Sequence, residues 1–452
     1  MRQVSHQRES AFGTRQCPNP YPIPTLAHRA PRILSRPLVT LSARPRGHAA
    51  GRLRPTPLDA STHAADIVPM NPRLSVLLPC REAAATLPGT IASLRAQTFD
   101  HFEVIAVDDG SADATGTLLR DWATGDPRVT VIESAAARQS APVRPSAAAP
   151  QPAAAEPLPA SRLVAALNQA AAAARAPLLA RMDADDIAHP DRFAAQLSFL
   201  EKGPELAGCG THVELFSPAE IRSGYRRYER WVNAIETPGD VERAALIECP
   251  LAHPTLVLKA SVFHALGGYR DMGWAEDHDL VLRILAARAR LANVPGEPLL
   301  RWRIREDRLS LTSPVYTAAA FRRCRVHFLR HAFLPPERPV VVWGAGRVGK
   351  PLARELIAQG TSVSAFVDLD RRKIGQEIHG APVLGPEQFA ELAARIGART
   401  DLPARATDPD TTAYSARPYV LAAVGSPGVR DDIREALMQY GFEEIADYRF
   451  CA

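Results

Sequence analysis

The sequence predicts an α/β fold divided between two units, and three observations support this prediction. From Leu74 onward, short apolar runs typical of buried strands alternate with segments that have helical spacing. Acidic or glycine-rich clusters directly follow several of these runs, and ligands bind beyond the carboxyl ends of strands in open α/β sheets. The chain has 452 residues, which is enough for two or three domains of about 100–200 residues each.

Residues 1–69 differ in composition from the rest of the chain. They hold ten arginines and three acidic residues, a net charge of +7, whereas the remaining residues sum to −2. They are also rich in proline and lack apolar periodicity, so we expect a disordered tail. A transit peptide and a start codon placed upstream of Met70 are both compatible with such a tail. The nearly neutral body excludes a nucleic-acid partner.

The first unit is predicted to span residues 70–316. Strands are expected at residues 74–78, 104–107, 129–132 and 177–182, with helices at 83–97, 111–123 and 163–174. An Ala/Pro-rich insert at residues 134–160 interrupts the alternation, and we expect a low-complexity surface loop there. The order of strands and helices predicts a largely parallel sheet.

A connecting helix within residues 317–337 leads to a second unit, residues 338–452. Its first strand, 340–343, is followed by Gly344, Gly346 and Gly349 at the start of a helix, and Asp368 ends the next strand. This context is that of a dinucleotide-binding turn, so a nucleotide or dinucleotide is the expected ligand. Glycines kept only for tight packing explain the same pattern, and this alternative stays open.

A cluster of acidic residues follows the strand predicted at 177–182. Asp183 and Asp185 alternate at the strand end, where carboxylate oxygens suit a hard cation such as Mg²⁺ or Mn²⁺. The alternative is that these acids only cap the following helix.

Seven motifs occur in an order that resembles family 2 glycosyltransferases, the inverting enzymes of the GT-A fold. They extend over about residues 73–312 and are LLPCRE (77–82), VDDGSAD (107–113), ALN (166–168), DADDIAHPDR (183–192), HPT (253–255), GGY (267–269) and EDHDL (276–280). The resemblance implies a GT-A domain that binds a nucleotide sugar and a divalent metal.

On the donor side, the resemblance implies roles for the first acidic motifs. Asp108, with Asp109, would bind the uracil and ribose of the nucleotide, with Pro79 and Glu82 beside the base. Asp183 would face the ribose. Asp185 would ligate the metal.

On the acceptor side, the resemblance makes Asp277 the general base, with Glu276 as its partner. A base must take the proton from the acceptor hydroxyl. The alternative is that both are ordinary helix N-terminal acids, which the macrodipole favours. His253 is a candidate for the acceptor pocket and Arg303 for the diphosphate, although a structural histidine and a surface arginine explain them equally well.

These features predict a soluble, non-processive, inverting glycosyltransferase that moves a sugar from a UDP-sugar to a hydroxyl acceptor. The resemblance places it in cell-envelope or exopolysaccharide synthesis, with a glycan or lipid-linked acceptor. Processive members carry Gln-x-x-Arg-Trp where this chain has Pro298. The second unit resembles Rossmann-like domains found beside sugar-modifying transferases.

The leading alternative is an NAD(P)- or nucleotide-binding enzyme, or a scaffold, in which the second unit is the functional part. Six scattered cysteines without a C-x-x-C pair favour a reducing compartment. A cytoplasmic location is therefore expected, either free or peripheral on the inner face of the membrane.

Overall fold

The computed structural model describes residues 71–134, 159–397 and 417–452. The predicted tail, 1–69, and nearly all of the predicted insert lie outside these residues. Among the helices of the described ranges, none combines the length and apolarity needed to cross a bilayer.

The first unit is built on a seven-stranded mixed sheet. Its spatial order is β3-β2-β1-β4-β8-β6-β9, in which β1 to β4 run parallel and β8 runs antiparallel to both of its neighbours. The strands are β1 Leu74–Cys80, β2 Phe102–Asp108, β3 Val129–Glu133, β4 Leu178–Arg181, β6 Leu206–Thr211, β8 Val257–Lys259 and β9 Arg290–Val294. The prediction of an α/β fold with a parallel sheet is confirmed.

Helices cover both faces of this sheet. They are α1 Leu87–Arg95, α2 Thr115–Gly125, α3 Pro159–Ala173, α4 Arg192–Lys202, α5 Ser223–Asn233, α6 Pro238–Ala244, α7 Ala260–Ala265 and α8 Glu276–Ala286. Strand β1 is buried on both faces: Val76 and Leu78 lie in one core cluster, whereas Leu77 lies in the other. A near-continuous apolar run is what a central parallel strand requires.

A small second sheet covers the edge where the acidic motifs lie. It joins β5 Ile187–Ala188, β10 Leu300–Arg303 and β7 Val213–Phe216 in that order. Because β10 pairs with β5, the chain after residue 300 is brought back over the turn at residues 183–186. The sequence did not predict this sheet, since its strands are only two to four residues long.

The segment after β10 contains a short helix, α9 Leu309–Thr312, and a 3₁₀ turn, Pro314–Tyr316. The predicted connecting helix follows as α10 Ala318–Phe328 and continues as a π turn, Leu329–Phe333. Thr317 caps α10 because its side chain accepts a hydrogen bond from the backbone N of Ala320.

The second unit contains a six-stranded sheet of order β13-β14-β12-β11-β15-β16. These strands are β11 Val340–Trp343, β12 Val363–Val367, β13 Glu377–Ile378, β14 Ala381–Leu384, β15 Tyr419–Ala422 and β16 Tyr448–Phe450. All pairs are parallel except β13 with β14. The helices are α11 Gly349–Ala358, α12 Pro386–Gly397 and α13 Pro427–Gln439.

The two units share a hydrophobic core. Leu246 and Leu282 of the first unit belong to the same buried cluster as Phe328, Val340 and Leu352. The connecting helix α10 contacts both α8 and α11, so it links the helix that begins with the acidic pair at residues 276–277 to the second unit.

Candidate active site

A cleft of about 1240 Å³ lies at the carboxyl ends of β1 and β4, beneath the segment that follows β10. Strand register explains its position, because Cys80 pairs with Asp108 and Leu77 pairs with Arg181, so the three motif-bearing strand ends meet. Nine of the sequence-predicted residues line it: Pro79, Glu82, Asp109, Asp183, Asp185, His253, Glu276, Asp277 and Arg303.

The consecutive residues Asp108 and Asp109 have different surroundings. Asp108 is 7% exposed, and its Oδ1 accepts hydrogen bonds from the backbone N and the Oγ of Ser111, at 3.0 and 2.6 Å. It therefore stabilises the turn after β2. Asp109 lines the cleft, where its Oδ2 accepts from Arg162 Nε at 3.0 Å and lies 3.4 Å from Arg81 Nη1. Asp109 is equally buried, at 7% exposed, but it lines the cleft and Asp108 does not; the nucleotide-binding role predicted for both stays a prediction.

Glu82 links the ends of β1 and β2. Its Oε1 accepts from the backbone N of Ala112 at 2.7 Å, and its own backbone N donates to Ser111 Oγ at 3.1 Å. Its φ is +47°, in the left-handed region that costs a non-glycine residue free energy. The cross-links between the two turns hold this strained conformation at the edge of the cleft.

Three carboxylates of the turn after β4 lie close together. Ligand atoms of Asp183, Asp185 and Asp186 all lie within 4.8 Å of one another. Burial and the charge of Asp183 raise the pKa of Asp185, and burial with both neighbours raises that of Asp186 well above its ordinary value. Asp186 Oδ2 is buried and has no hydrogen-bond partner among the described residues. Three clustered oxygen donors with an unpaired buried atom fit a divalent cation.

Three arginines surround this acidic turn. Arg181 is 4% exposed and forms an ion pair with Asp183, and Arg305 Nε lies 3.2 Å from Asp185 Oδ2. Arg303 donates from Nε to the backbone carbonyl of Asp185 and from its backbone N to Asp186 Oδ1, both at 2.8 Å.

The expected approach of Arg303 to a diphosphate stays a prediction. Its guanidinium lies 4.4 Å from the centre of the Phe216 ring. The hydrogen bonds that Arg303 makes support the acidic turn.

The acidic pair occupies the first turn of α8. Glu276 Oε2 accepts a hydrogen bond from the Tyr316 hydroxyl at 2.6 Å, and Oε1 lies 3.7 Å from His253 Nδ1. His253 Nε2 in turn lies 2.8 Å from the Tyr269 hydroxyl. Burial and the charge of Arg181 hold the pKa of His253 well below its ordinary value, which favours the neutral ring.

Asp277 is the less anchored of the two carboxylates. Its Oδ1 accepts from the adjacent backbone N of His278 at 2.7 Å. Burial, followed by the charge of Glu276, raises the pKa of Asp277 to about 8. Once ionised, a carboxylate with this raised pKa is a stronger base towards a hydroxyl than an ordinary carboxylate.

Sequence reasoning missed several residues of the cleft. They are Arg162, Arg181, Glu248, Arg305, Arg308 and Tyr316. Arg305 and Arg308 belong to an arginine-rich stretch, residues 301–308. When no fold is known, such a stretch is interpreted as an exposed charged surface. The others stand alone in the sequence.

In the second unit, the three glycines of the turn have different environments. A Cβ at Gly349 would lie 1.6 Å from the carbonyl oxygen of Gly344, which itself has a φ of +112°. A Cβ at Gly346 would meet nothing within 4 Å. Asp368 Oδ2 accepts from the backbone N of Ala345 at 2.8 Å and from Lys373 Nζ at 2.9 Å. Packing thus explains two of the glycines, and the predicted nucleotide site at Gly346 and Asp368 stays a prediction.

The first unit is similar to known proteins. The family described as glycosyl transferase family 2 matches residues 75–141 and 158–257. EpsE of Bacillus subtilis, named as a glycosyltransferase, is 27% identical over 240 residues, which is 52% of this chain and 74% of that protein. The amylovoran biosynthesis glycosyltransferase AmsE of Erwinia amylovora is 31% identical over 118 residues, 26% of this chain and 42% of that protein.

A distant similarity to a solved structure was also found. The structure of S. aureus TarS 1–349 in complex with UDP-GlcNAc has a TM-score of 0.44 and 14% identity, covering 72% of this chain and 81% of that one. The resemblance found in the motifs is confirmed by the family match and the curated relatives. Residues 75–141 and 158–257 are thus similar to glycosyl transferase family 2, and the chain is a glycosyltransferase.

Proposed function

We propose that this chain transfers a sugar, with inversion and without processivity, from a UDP-sugar to a hydroxyl acceptor in a metal-dependent reaction. One observation carries the proposal: a single cleft contains both the acidic turn at residues 183–186 and the Glu276–Asp277 pair. The first is a site for a cation and a diphosphate, and the second contains a carboxylate suited to proton removal.

The donor would lie across the strand ends. Asp109 with Asp108, and Glu82 beside Pro79, would offer carboxylates to the base and ribose, and Asp183 would face the ribose. Asp185, with Asp183 and Asp186, would hold Mg²⁺ or Mn²⁺, which neutralises charge on a departing diphosphate. Arg305 and Arg308 line the same part of the cleft, and guanidinium groups pair well with phosphate oxygens.

The transfer itself is a single displacement. The acceptor oxygen forms a bond to the anomeric carbon while the bond from that carbon to the diphosphate oxygen breaks, and the leaving group takes the electron pair. Asp277 accepts the proton of the acceptor hydroxyl. Attack opposite the leaving group inverts the anomeric centre, so one base is sufficient.

The wider role is proposed from the relatives. AmsE is named for amylovoran biosynthesis, which supports a role in exopolysaccharide or cell-envelope synthesis with a glycan or lipid-linked acceptor. All five cysteines in the described ranges are buried free thiols, which supports a cytoplasmic location. The parallel order β14-β12-β11-β15-β16 supports a Rossmann-like domain at residues 338–452.

Two single variants and a control test the proposal. Asp185→Asn is expected to weaken the binding of Mn²⁺ and UDP together, as measured by calorimetry. Asp277→Asn is expected to retain nucleotide binding and to lower turnover by roughly 10²- to 10⁴-fold. Asp121→Asn, on the exposed face of α2, is the matched control and should behave like the wild type. Full transfer activity in Asp277→Asn, or a product that keeps the anomeric configuration of the donor by NMR, would contradict the mechanism.

A further inference from the structure

The segment that joins the two units forms part of the cleft. Tyr316, in the 3₁₀ turn before α10, and Phe321, within α10, both line it. The Tyr316 hydroxyl donates to Glu276 Oε2 at 2.6 Å. The Phe321 ring lies 5.5 Å from the ring of His278, the residue after Asp277. The segment therefore contacts Glu276 directly and also contacts His278, the residue that follows Asp277.

Glu276 depends on this contact more than on any other neighbour. It is 2% exposed, and His253 Nδ1, at 3.7 Å, is too far away for a normal hydrogen bond. Burial raises the pKa of Glu276, and the hydrogen bond from Tyr316 is the largest opposing influence. The charge of Arg181 lowers the pKa of Glu276 and the charge of Asp183 raises it, and both effects are smaller than that of Tyr316.

The same segment is held on its other side by the second unit. Arg325 Nη1, on α10, donates to the carbonyls of Leu246 and Ile247 in the first unit, at 3.1 and 3.0 Å. It also donates to the carbonyl of Cys451 at 2.8 Å, near the end of the chain. Buried apolar side chains of α10 and the π turn complete this contact: Cys324, Val326, Phe328 and Leu329.

We propose that Tyr316 is a positioning residue for the transfer reaction. Its hydroxyl fixes the carboxylate of Glu276, and thereby the first turn of α8, so that Asp277 faces the acceptor hydroxyl. The motifs of the first unit are then insufficient for full turnover, because the acceptor side of the cleft is completed by the segment that the second unit holds. This inference rests on the proposed function and assigns Tyr316 to the acceptor side of that same site.

The test compares Tyr316→Phe with Tyr419→Phe in the full chain. Tyr419 is the matched control because its buried hydroxyl donates to the carbonyl of Ile445 at 2.8 Å, within the second unit. Tyr316→Phe should lower kcat about 10- to 100-fold, the usual effect of losing a hydrogen bond to a charged group. The dissociation constant for UDP with Mn²⁺ and the melting temperature should match those of Tyr419→Phe, which should keep wild-type turnover.

A second readout does not require turnover. Carboxyl ¹³C NMR of the wild type and Tyr316→Phe should show Glu276 titrating at higher pH in the variant, because its hydrogen-bond donor is lost. An unchanged titration would overturn the inference whether or not the wild type transfers sugar. So would wild-type kcat in Tyr316→Phe, or a parallel loss of nucleotide binding and melting temperature. If the Glu276 titration shifts in Tyr316→Phe but the wild type transfers no sugar, the result would count against the proposed function and not against this inference.

Discussion

Arg305 forms an ion pair with Asp185, its Nε lying 3.2 Å from Oδ2. A guanidinium thus contacts the carboxylate that we expect to bind the metal. The side chain of Arg305 is 40% exposed, whereas that of Asp185 is 18% exposed. We therefore expect the arginine to withdraw towards solvent when a cation binds, which would leave its charge available to the diphosphate.

Removing this arginine should strengthen binding of the metal alone. In Arg305→Met, Mn²⁺ no longer competes with a guanidinium for Asp185, so its affinity should rise about 1.5- to 5-fold, the usual range for a partly exposed ion pair. The donor KM should rise, because a phosphate partner is lost. Titration calorimetry with Mn²⁺ measures the first effect. Arg301→Met removes an ion pair with Glu214 of similar length, 3.2 Å, and serves as the control. Weaker Mn²⁺ binding in Arg305→Met would contradict the competition.

The raised pKa of Asp277 predicts opposite effects of pH on rate and on stability. A base must be ionised, so kcat should rise with pH and level off above about pH 8. The folded state binds this proton more tightly than the unfolded chain, in which the pKa is near 3.8. The stabilisation is therefore present at low pH and is lost as the pH rises from about 4 to about 8.

Asp277→Asn should remove the loss of stability that occurs as the pH rises, because the amide does not ionise. We expect its melting temperature to match or exceed that of the wild type at pH 9, while the two converge at lower pH. Thermal melts at several pH values, with Asp121→Asn as the control, provide the measurement. A variant that melts below the wild type at pH 9 would show that the Asp277 carboxylate stabilises the fold.

The glycine turn of the second unit allows packing and ligand binding to be separated. Gly349→Ala would place a Cβ 1.6 Å from the Gly344 carbonyl oxygen and should destabilise the fold by about 1–3 kcal/mol. Gly346→Val should leave the melting temperature nearly unchanged and abolish any nucleotide binding by this unit. Calorimetry with NAD, NADP and UDP-sugars on the full chain of Asp185→Asn, in which the donor site is disabled, measures that binding. If Gly346→Val unfolds the protein, or if nucleotide binding survives the substitution, the predicted nucleotide site at Gly346 and Asp368 is wrong.

The sequence by itself determined which strand ends would form the site. Apolar runs ending in Asp108 and in Asp183 predict central parallel strands whose carboxyl ends meet, and in the structure Cys80 pairs with Asp108 at these ends. These signals are local, because a strand and the turn that follows it are contiguous in the chain. The motifs, the fold class and the resemblance to a family could therefore be recognised without a structure.

Only the tertiary structure decided how the individual side chains are used. Asp108 and Asp109 are the same residue type, so the sequence does not distinguish them. Consecutive residues point to different sides at a strand end, and only Asp109 lines the cleft. Arg305 and Tyr316 lie far along the chain from the carboxylates they contact, and no periodicity links them. Their positions depend on β10 returning over the acidic turn and on α10 packing between the two units. Such contacts result from packing between distant segments, which local sequence patterns do not encode.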